Sequence, residues 1–533
     1  MKRLLFVAAF LATTCSTPSI KDIVKDELND INPVAGVIKV ASVFTDHMVL
    51  QRETSAPIWG WAPPGQKITV IPTWNKRKYS TETDAEGRWE VKLDTPKAGG
   101  PYSILITAGK KGNILLNDVL IGEVWLSSGQ SNMELNLIGA TSQGVEGSYE
   151  AIAEAGEYAD RIRFLDIKEG KAFTPQDNVE ESWELTDGEV AAKVSAVAYF
   201  FAKHLTKTLG VPVGIINNPW GGCLLPPWVS MEYMEEHVKG LIPDEAYQNI
   251  LERVDEPDPN RDAPRQVATL YNSRLYPVIG YALRGFIWYQ GCSELIFNDI
   301  PYYDKLQAAM VRCWRDAWGD KDDELPFYFA LIAPYGYSDP KGVKRGYFVE
   351  NQLSSLDIIP NSGVAVTETL GDMGCIHPAK KKEVADQFAV LALENVYGVK
   401  TGLGNGFAHP DQVTFPANSK VEPKTIHQAG YDLEILKADA PGKKIVVHFA
   451  DTRIGLGHYS DYGTPVKGFE VAGPNKVFRS VPAEIQWDSV VIDCSSVPNA
   501  VAVRYAFHNW CEADLLTTLG VPVASFRTDD WPM

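Results

Sequence analysis

Positive charge is scarce in this chain of 533 residues: 50 Lys and Arg stand against 68 Asp and Glu, a formal net charge of −18. A field of that sign repels phosphate backbones, so no nucleic-acid partner is expected. Cysteine is sparse as well, seven in all, with no CxxC pair and no zinc-like spacing. There are no internal repeats, and past the N-terminus no run is long and apolar enough to cross a bilayer as a helix. A Gly-x-Ser-x-Gly elbow is missing at Ser131, because Met133 occupies its final glycine position, which disfavours an α/β-hydrolase. The Gly402–Gly406 cluster lacks the strand–helix context of a dinucleotide site. What is present is an ordinary globular mixture, 45% hydrophobic and 22% charged, which excludes disorder or coiled coil for the chain as a whole.

The first residues, Met1-Lys2-Arg3, a short apolar run from Leu4 to Leu11 and then Ala12-Thr13-Thr14-Cys15, have the pattern of an export signal. Cys15 stands where a bacterial lipoprotein is acylated, so the expectation is a leader over 1–15, a polar tether over 16–35, and an exported, periplasmic or cell-surface lipoprotein. Membrane contact is expected only through that anchor. Residues 36–118 read as a small β-sandwich, with short alternating runs separated by Pro63-Pro64-Gly65 and Gly99-Gly100-Pro101. Over 119–398 buried-type runs such as Val124-Trp125-Leu126, Val213 to Ile216 and Phe286 to Tyr289 alternate with helical patterns at Ala196–Leu209 and Pro378–Tyr397. That alternation predicts an α/β unit, a parallel sheet with helices on both faces. The charged, Pro-rich stretch 237–266 reads as an insertion rather than core, and 399–533 returns to short strands.

Ligands of an open parallel sheet sit beyond the carboxyl ends of its strands. Three loops there carry unusual groups: Ser127 to Glu134, Asn217 to Cys223, and Gln290 to Glu294; a fourth, Gly374-Cys375-Ile376-His377-Pro378, precedes the last helix. A serine at a strand-to-helix turn, two glycine-rich loops and a distant histidine can together form a nucleophilic site.

The blocks Gly129-Gln130-Ser131-Asn132-Met133, Trp220-Gly221-Gly222, Trp288-Tyr289-Gln290-Gly291 and Ile376-His377-Pro378, in this order, resemble the sialate O-acetylesterase family, within the wider SGNH (GDSL-like) hydrolases. Met48–Arg52, Ser195–Phe200 and Phe526–Trp531 agree, so the resemblance spans nearly the whole mature chain. It implies a three-layer αβα catalytic unit flanked by β-rich domains, and hydrolysis of acetyl esters on sugar hydroxyls through an acetyl-serine. Ser131 would be the nucleophile and His377 its base. The Ser131 N–H, a Gly221 or Gly222 N–H and the Gln290 side-chain amide would make the oxyanion hole. No metal or cofactor is required. The implied partner is an O-acetylated glycan, sialic acid first. Acetylated plant polysaccharide (xylan, pectin) and a silenced glycan-binding homologue are the alternatives.

The chain also departs from the family pattern. Cys375 stands where an acid usually lies two residues before the histidine, and Cys292 replaces a glutamate of the third loop. The two cysteines are expected to form a disulfide, with Cys223 as a rival partner. The acid orienting His377 is then open among Asp372, ranked first, Glu368, Glu294, or none at all. Trp220, Trp228 and Trp288 either face the sugar or belong to the core, Lys380-Lys381-Lys382 reads as a solvated helix face, and His409-Pro410 is a local look-alike in the β-rich tail.

Overall fold

The computed structural model describes residues 38–532, apart from 169, 255–263, 298–299, 405, 429–430, 439–441, 459–462 and 498. The leader, Cys15 and the tether lie outside the described residues. The fold is mixed α/β with several sheets. At its centre runs β1 (Asn113–Gly129), followed in chain order by β2 (Ile162–Asp166), β3 (Val213–Pro219), β4 (Gly285–Tyr289), β5 (Phe327–Ala330) and β6 (Ser362–Ala365). These six are parallel in the order β2-β3-β1-β4-β5-β6, and Trp183–Leu185 adds an antiparallel edge beside β2. The strand order turns about β1: the chain builds outward to β2, returns to β3, then crosses to β4. That reversal is where such sheets open a crevice.

The strands read as continuous apolar runs because both faces are covered. Successive side chains leave a strand on opposite sides, and the buried residues divide accordingly. Val124, Leu126, Phe286, Trp288, Phe327 and Phe329 join one core; Trp125, Ile287, Tyr289, Tyr328 and Ala330 join the other. Helices α2 (Ala196–Leu209) and α5 (Lys381–Asn395) bury Phe201, Leu205, Phe388 and Ala389 in the second core. Helices α3 (Tyr303–Trp318) and α4 (Lys344–Ile358) bury Leu306, Met310, Phe348 and Val349 in the first. Helix α1 is the single turn Ser131–Glu134 that follows β1.

The N-terminal strands are not a separate body. The half of β1 before Gly122 pairs with Val49–Gln51 and Gly99–Thr107, so these strands belong to the same eleven-stranded sheet, and the 118/119 boundary falls inside β1. A three-stranded sheet of Lys39–Val40, Ser55–Trp61 and Arg88–Asp94 completes this region, and its Ile58 and Trp89 share the core of Val124 and Leu126. The described part of 237–266 corrects another expectation. Val238, Ile242, Tyr247 and Ile250 are buried in that core, because the short helix Asp244–Leu251 turns an apolar side inward beneath its charges. The C-terminal strands form a six-stranded and a four-stranded sheet around a core of their own, including Val413, Ile445, Val490 and Phe526. Among the described residues no helix is long and apolar enough to cross a membrane.

Candidate active site

β1 ends at Gly129, whose φ of +136° and lack of a side chain are both needed: a Cβ there would lie 2.3 Å from the Tyr289 carbonyl oxygen. Gln130 is the extended residue before α1, and its side-chain oxygen accepts from the Gly291 and Cys292 N–H groups at 2.8 and 2.9 Å, tying the first loop to the third. Ser131 is the first helical residue, so its N–H has no intrahelical acceptor and remains available to a ligand. The turn is held from below by Ser195, which caps α2 through the Ala198 N–H and donates its hydroxyl to the Met133 carbonyl.

His377 reaches Ser131 from the loop before α5. Its Nε2 lies 2.7 Å from Ser131 Oγ, and its Nδ1 lies 2.8 Å from Gln143 Oε1. With Gln143 accepting from Nδ1–H, the lone pair of Nε2 faces the hydroxyl, the tautomer a general base needs. Asn132 links the two loops from inside: its amide donates to the Ile376 carbonyl at 3.1 Å, and its oxygen accepts from the Lys381 ammonium. Lys381 is fully buried over the Tyr289 ring. Burial lowers its pKa to about 7, and burial together with the Lys381 charge lowers that of His377 to about 4. The imidazole is therefore neutral at physiological pH.

Gly221, from the loop after β3, lies against Ser131. A Cβ on it would stand 3.6 Å from Ser131 Cβ and 2.6 Å from a Glu134 carboxylate oxygen, so glycine keeps the approach to Ser131 open. Gly222 turns in the left-handed region, φ +71°, and its carbonyl accepts from the Ser293 hydroxyl.

Several expected roles need correction. Gln290 is fully buried; its amide donates to the Cys223 carbonyl and to Glu294, and its oxygen accepts from Tyr303, so it has no donor left for an oxyanion. Asp372 does not reach the histidine ring, because its carboxylate caps the Gly374 N–H at 2.7 Å within its own turn. Glu368 is held by both nitrogens of buried Arg345, and Glu294 by the Leu225 N–H and Gln290. The Cys292–Cys375 disulfide is not formed, and Cys223 is equally free. The thiols have separate partners: Cys292 Sγ accepts from the Tyr337 hydroxyl, Cys375 faces the His377 carbonyl, and Cys223 accepts from the Trp228 indole. Trp220 and Trp288 are core. Trp220 packs on the Arg274 guanidinium, and Trp288 lies edge-on to Trp228 and Trp314. Lys381 is likewise no solvated residue, whereas its neighbour Lys382 remains on the surface with Asp386. His409 lies in the C-terminal sheet against Tyr431.

Gln143 and Lys381 are the two groups that sequence reasoning missed. A glutamine in a polar turn carries no signal by type, and Lys381 was hidden within a run of three lysines. Asn132, inside the Ser131 block, was legible as a position but not as a tie.

The sequence and structure can be set against known proteins. A family model described as "Carbohydrate esterase, sialic acid-specific acetylesterase" matches residues 121–374. Sialate O-acetylesterase of Mus musculus is 26% identical over 90% of this chain and 91% of its own length. The Homo sapiens protein of that name is 28% identical over 69% of this chain and 72% of its own. A crystal structure of a carbohydrate acetylesterase from Xanthomonas citri superposes with a TM-score of 0.75 at 29% identity, covering 93% of this chain and all of that one. The motifs in order, the matched domain and the full-length likeness agree: residues 121–374 match the sialic acid-specific acetylesterase family, and the chain is similar over nearly its whole length to a sialate O-acetylesterase and to a carbohydrate acetylesterase.

Proposed function

We propose that this protein is a carbohydrate O-acetylesterase, acting first on acetyl esters of sialic acid. The observation that carries the reading is the 2.7 Å contact between Ser131 Oγ and the His377 Nε2 of a neutral imidazole. Ser131 attacks the acetyl carbonyl as His377 takes its proton, and the tetrahedral oxyanion settles between the N–H groups of Ser131 and Gly221. Loss of one such donor costs about 3–4 kcal/mol in the barrier. His377 returns the proton to the departing sugar oxygen. Water, deprotonated by the same imidazole, then releases acetate from the acetyl-serine.

The test is turnover of a chromogenic acetyl ester by the purified chain, with Ser131→Ala expected to lose at least about a thousandfold in kcat. Wild-type turnover indistinguishable from that variant would leave a glycan-binding homologue instead. A second reading, an esterase for neutral polysaccharide, is favoured by the likeness to the Xanthomonas citri carbohydrate acetylesterase. Competing a 9-O-acetylated sialoside against acetylated xylan separates the two.

The layout we assign is a three-layer αβα unit over 119–398, with β-rich regions at 36–118 and 399–533. The two cores on either face of the parallel sheet support it. Residues 1–15 are assigned as an export leader ending at an acylated Cys15, on the basic, apolar and small-residue order of the sequence. Labelling of Cys15 with a radioactive fatty acid in a bacterial host tests this assignment.

A further inference from the structure

We propose that Gln143 is the positioning residue of the active-site histidine, a neutral amide standing where an ester hydrolase of this kind places a carboxylate. The inference rests on the esterase reading above and concerns how its base is held.

Gln143 is presented by a turn with little freedom. Ala140 and Gln143 exchange backbone hydrogen bonds of 2.9 Å in both directions around Ser142, itself left-handed at φ +64°. Gly139 closes the turn at φ +74°, where a Cβ would come within 2.2 Å of the Gln143 carbonyl oxygen. The loop is anchored at both ends, through Leu137 and Ile138 N–H to the carbonyls of Val194 and Ala192, and through Glu146 N–H to the Ala379 carbonyl, two residues beyond His377. The side-chain oxygen is thereby held 2.8 Å from Nδ1.

The charges around the ring fit a neutral partner. α5 brings the Lys381 ammonium, which among the described residues is the charged group acting on the imidazole. The histidine's own loop brings the Cys375 thiol and Asp372, which is turned onto Gly374; α1 brings Glu134, beside Gly221; the third loop brings the buried Cys292 thiol; and Glu146 is exposed. A carboxylate on Nδ1 fixes the tautomer and also raises the basicity of the ring. An amide oxygen does the first without the second, so His377 remains an unprotonated base in acid.

The experiment is the pH dependence of kcat/KM on an acetyl ester for the full chain and three variants. Gln143→Ala is expected to lower kcat about tenfold to a hundredfold with KM little changed, as for loss of one to two hydrogen bonds' worth of orientation. Gln143→Glu, nearly the same shape, should move the acid limb upward by about 1–3 pH units. Asp372→Asn should leave that limb in place. An unmoved limb in Gln143→Glu, parental kcat in Gln143→Ala, or a displaced limb in Asp372→Asn overturns the proposal. Ser131→Ala reads separately: if it retains activity, the esterase reading itself has failed.

Discussion

Lys381 is a cation in the wrong place by ordinary rules: fully buried, its ammonium on a neutral amide oxygen and an aromatic ring, with no carboxylate bound among the described residues. Two consequences have opposite readouts. Burial of the ring and, after it, repulsion by Lys381 hold the His377 proton off, so catalysis should persist as pH falls from neutrality and fail only near the histidine's value of about 4. Lys381→Met should raise that acid limb only in part, because the burial of the ring, the larger cause, remains, a shift visible in kcat/KM against pH. The second consequence is for stability. The folded lysine loses its proton near 7 and the unfolded one near 10.5, so between those values the unfolded chain binds more protons and stability rises with pH. The slope is at most about 1.4 kcal/mol per pH unit. Urea midpoints measured between about pH 7 and 8, before the unfolded thiols titrate, should climb more steeply for the parent than for Lys381→Met; equal slopes would refute the buried charge. None of this could be read from three consecutive lysines, since which of them faces inward depends on where α5 starts. Ser131 and His377 were legible because their types are rare in such surroundings and their flanking blocks are ordered, whereas Gln143 required the turn to be seen.

At the scale of elements, local signals succeeded where they were complete. Ser195 before an apolar periodic run and Gly210 after it delimit Ala196–Leu209, and the structure has a Ser195 cap and a left-handed Gly210 at those positions. The last helix is shorter at both ends than the expected Pro378–Tyr397, running Lys381–Asn395: at its start the Ala379 carbonyl serves the Glu146 and Lys381 N–H groups, and at its end the Ala392 carbonyl takes the N–H groups of both Val396 and Tyr397. The boundary expected at 118/119 falls inside β1. A little further along that strand, at Gly122, the Pro212 carbonyl passes so close that a Cβ would lie 2.2 Å from its oxygen. Gly129 makes a demand of the same kind at a φ of +136°, with backbone atoms of Tyr289 on the space a side chain would use. Gly129→Ala should therefore cost about 2–4 kcal/mol, combining the strain of its φ with overpacking against an immovable neighbour. Urea denaturation measures it, and a cost under about 0.5 kcal/mol, the scale of a neutral surface change, would contradict the geometry.

For the molecule as a whole, one set of the polar contacts that join the C-terminal strands to the catalytic unit centres on Asn509, beside a separate Arg527–Glu350 ion pair. The Asn509 side chain accepts from the Arg345 N–H and donates to the Tyr337 carbonyl, and its carbonyl accepts from the Tyr335 N–H. The same segment passes the constraint to the histidine loop through Asp372 N–H on the Pro334 carbonyl and Gly336 N–H on the Met373 carbonyl. Asn509→Ala should destabilise by about 1–3 kcal/mol, as a buried acceptor and donor lose their partners, and should lower kcat by loosening the His377 loop. A variant with parental melting and kcat would show that the two regions are merely adjacent. No sequence pattern could supply this, because the partners lie more than 160 residues apart.

The seventeen residues of β1 lead, without a break, from pairing with the N-terminal strands to the turn that presents Ser131. The Ser131 hydroxyl thus sits at the tip of a single beam whose other end is clamped in a different part of the protein. Module exchange of the kind common among glycan-active enzymes is closed to this architecture at that joint. Lineages bearing this beam must inherit the front portion and the chemistry together, and any shortened catalyst engineered from it has to retain the first strands as part of its minimal unit.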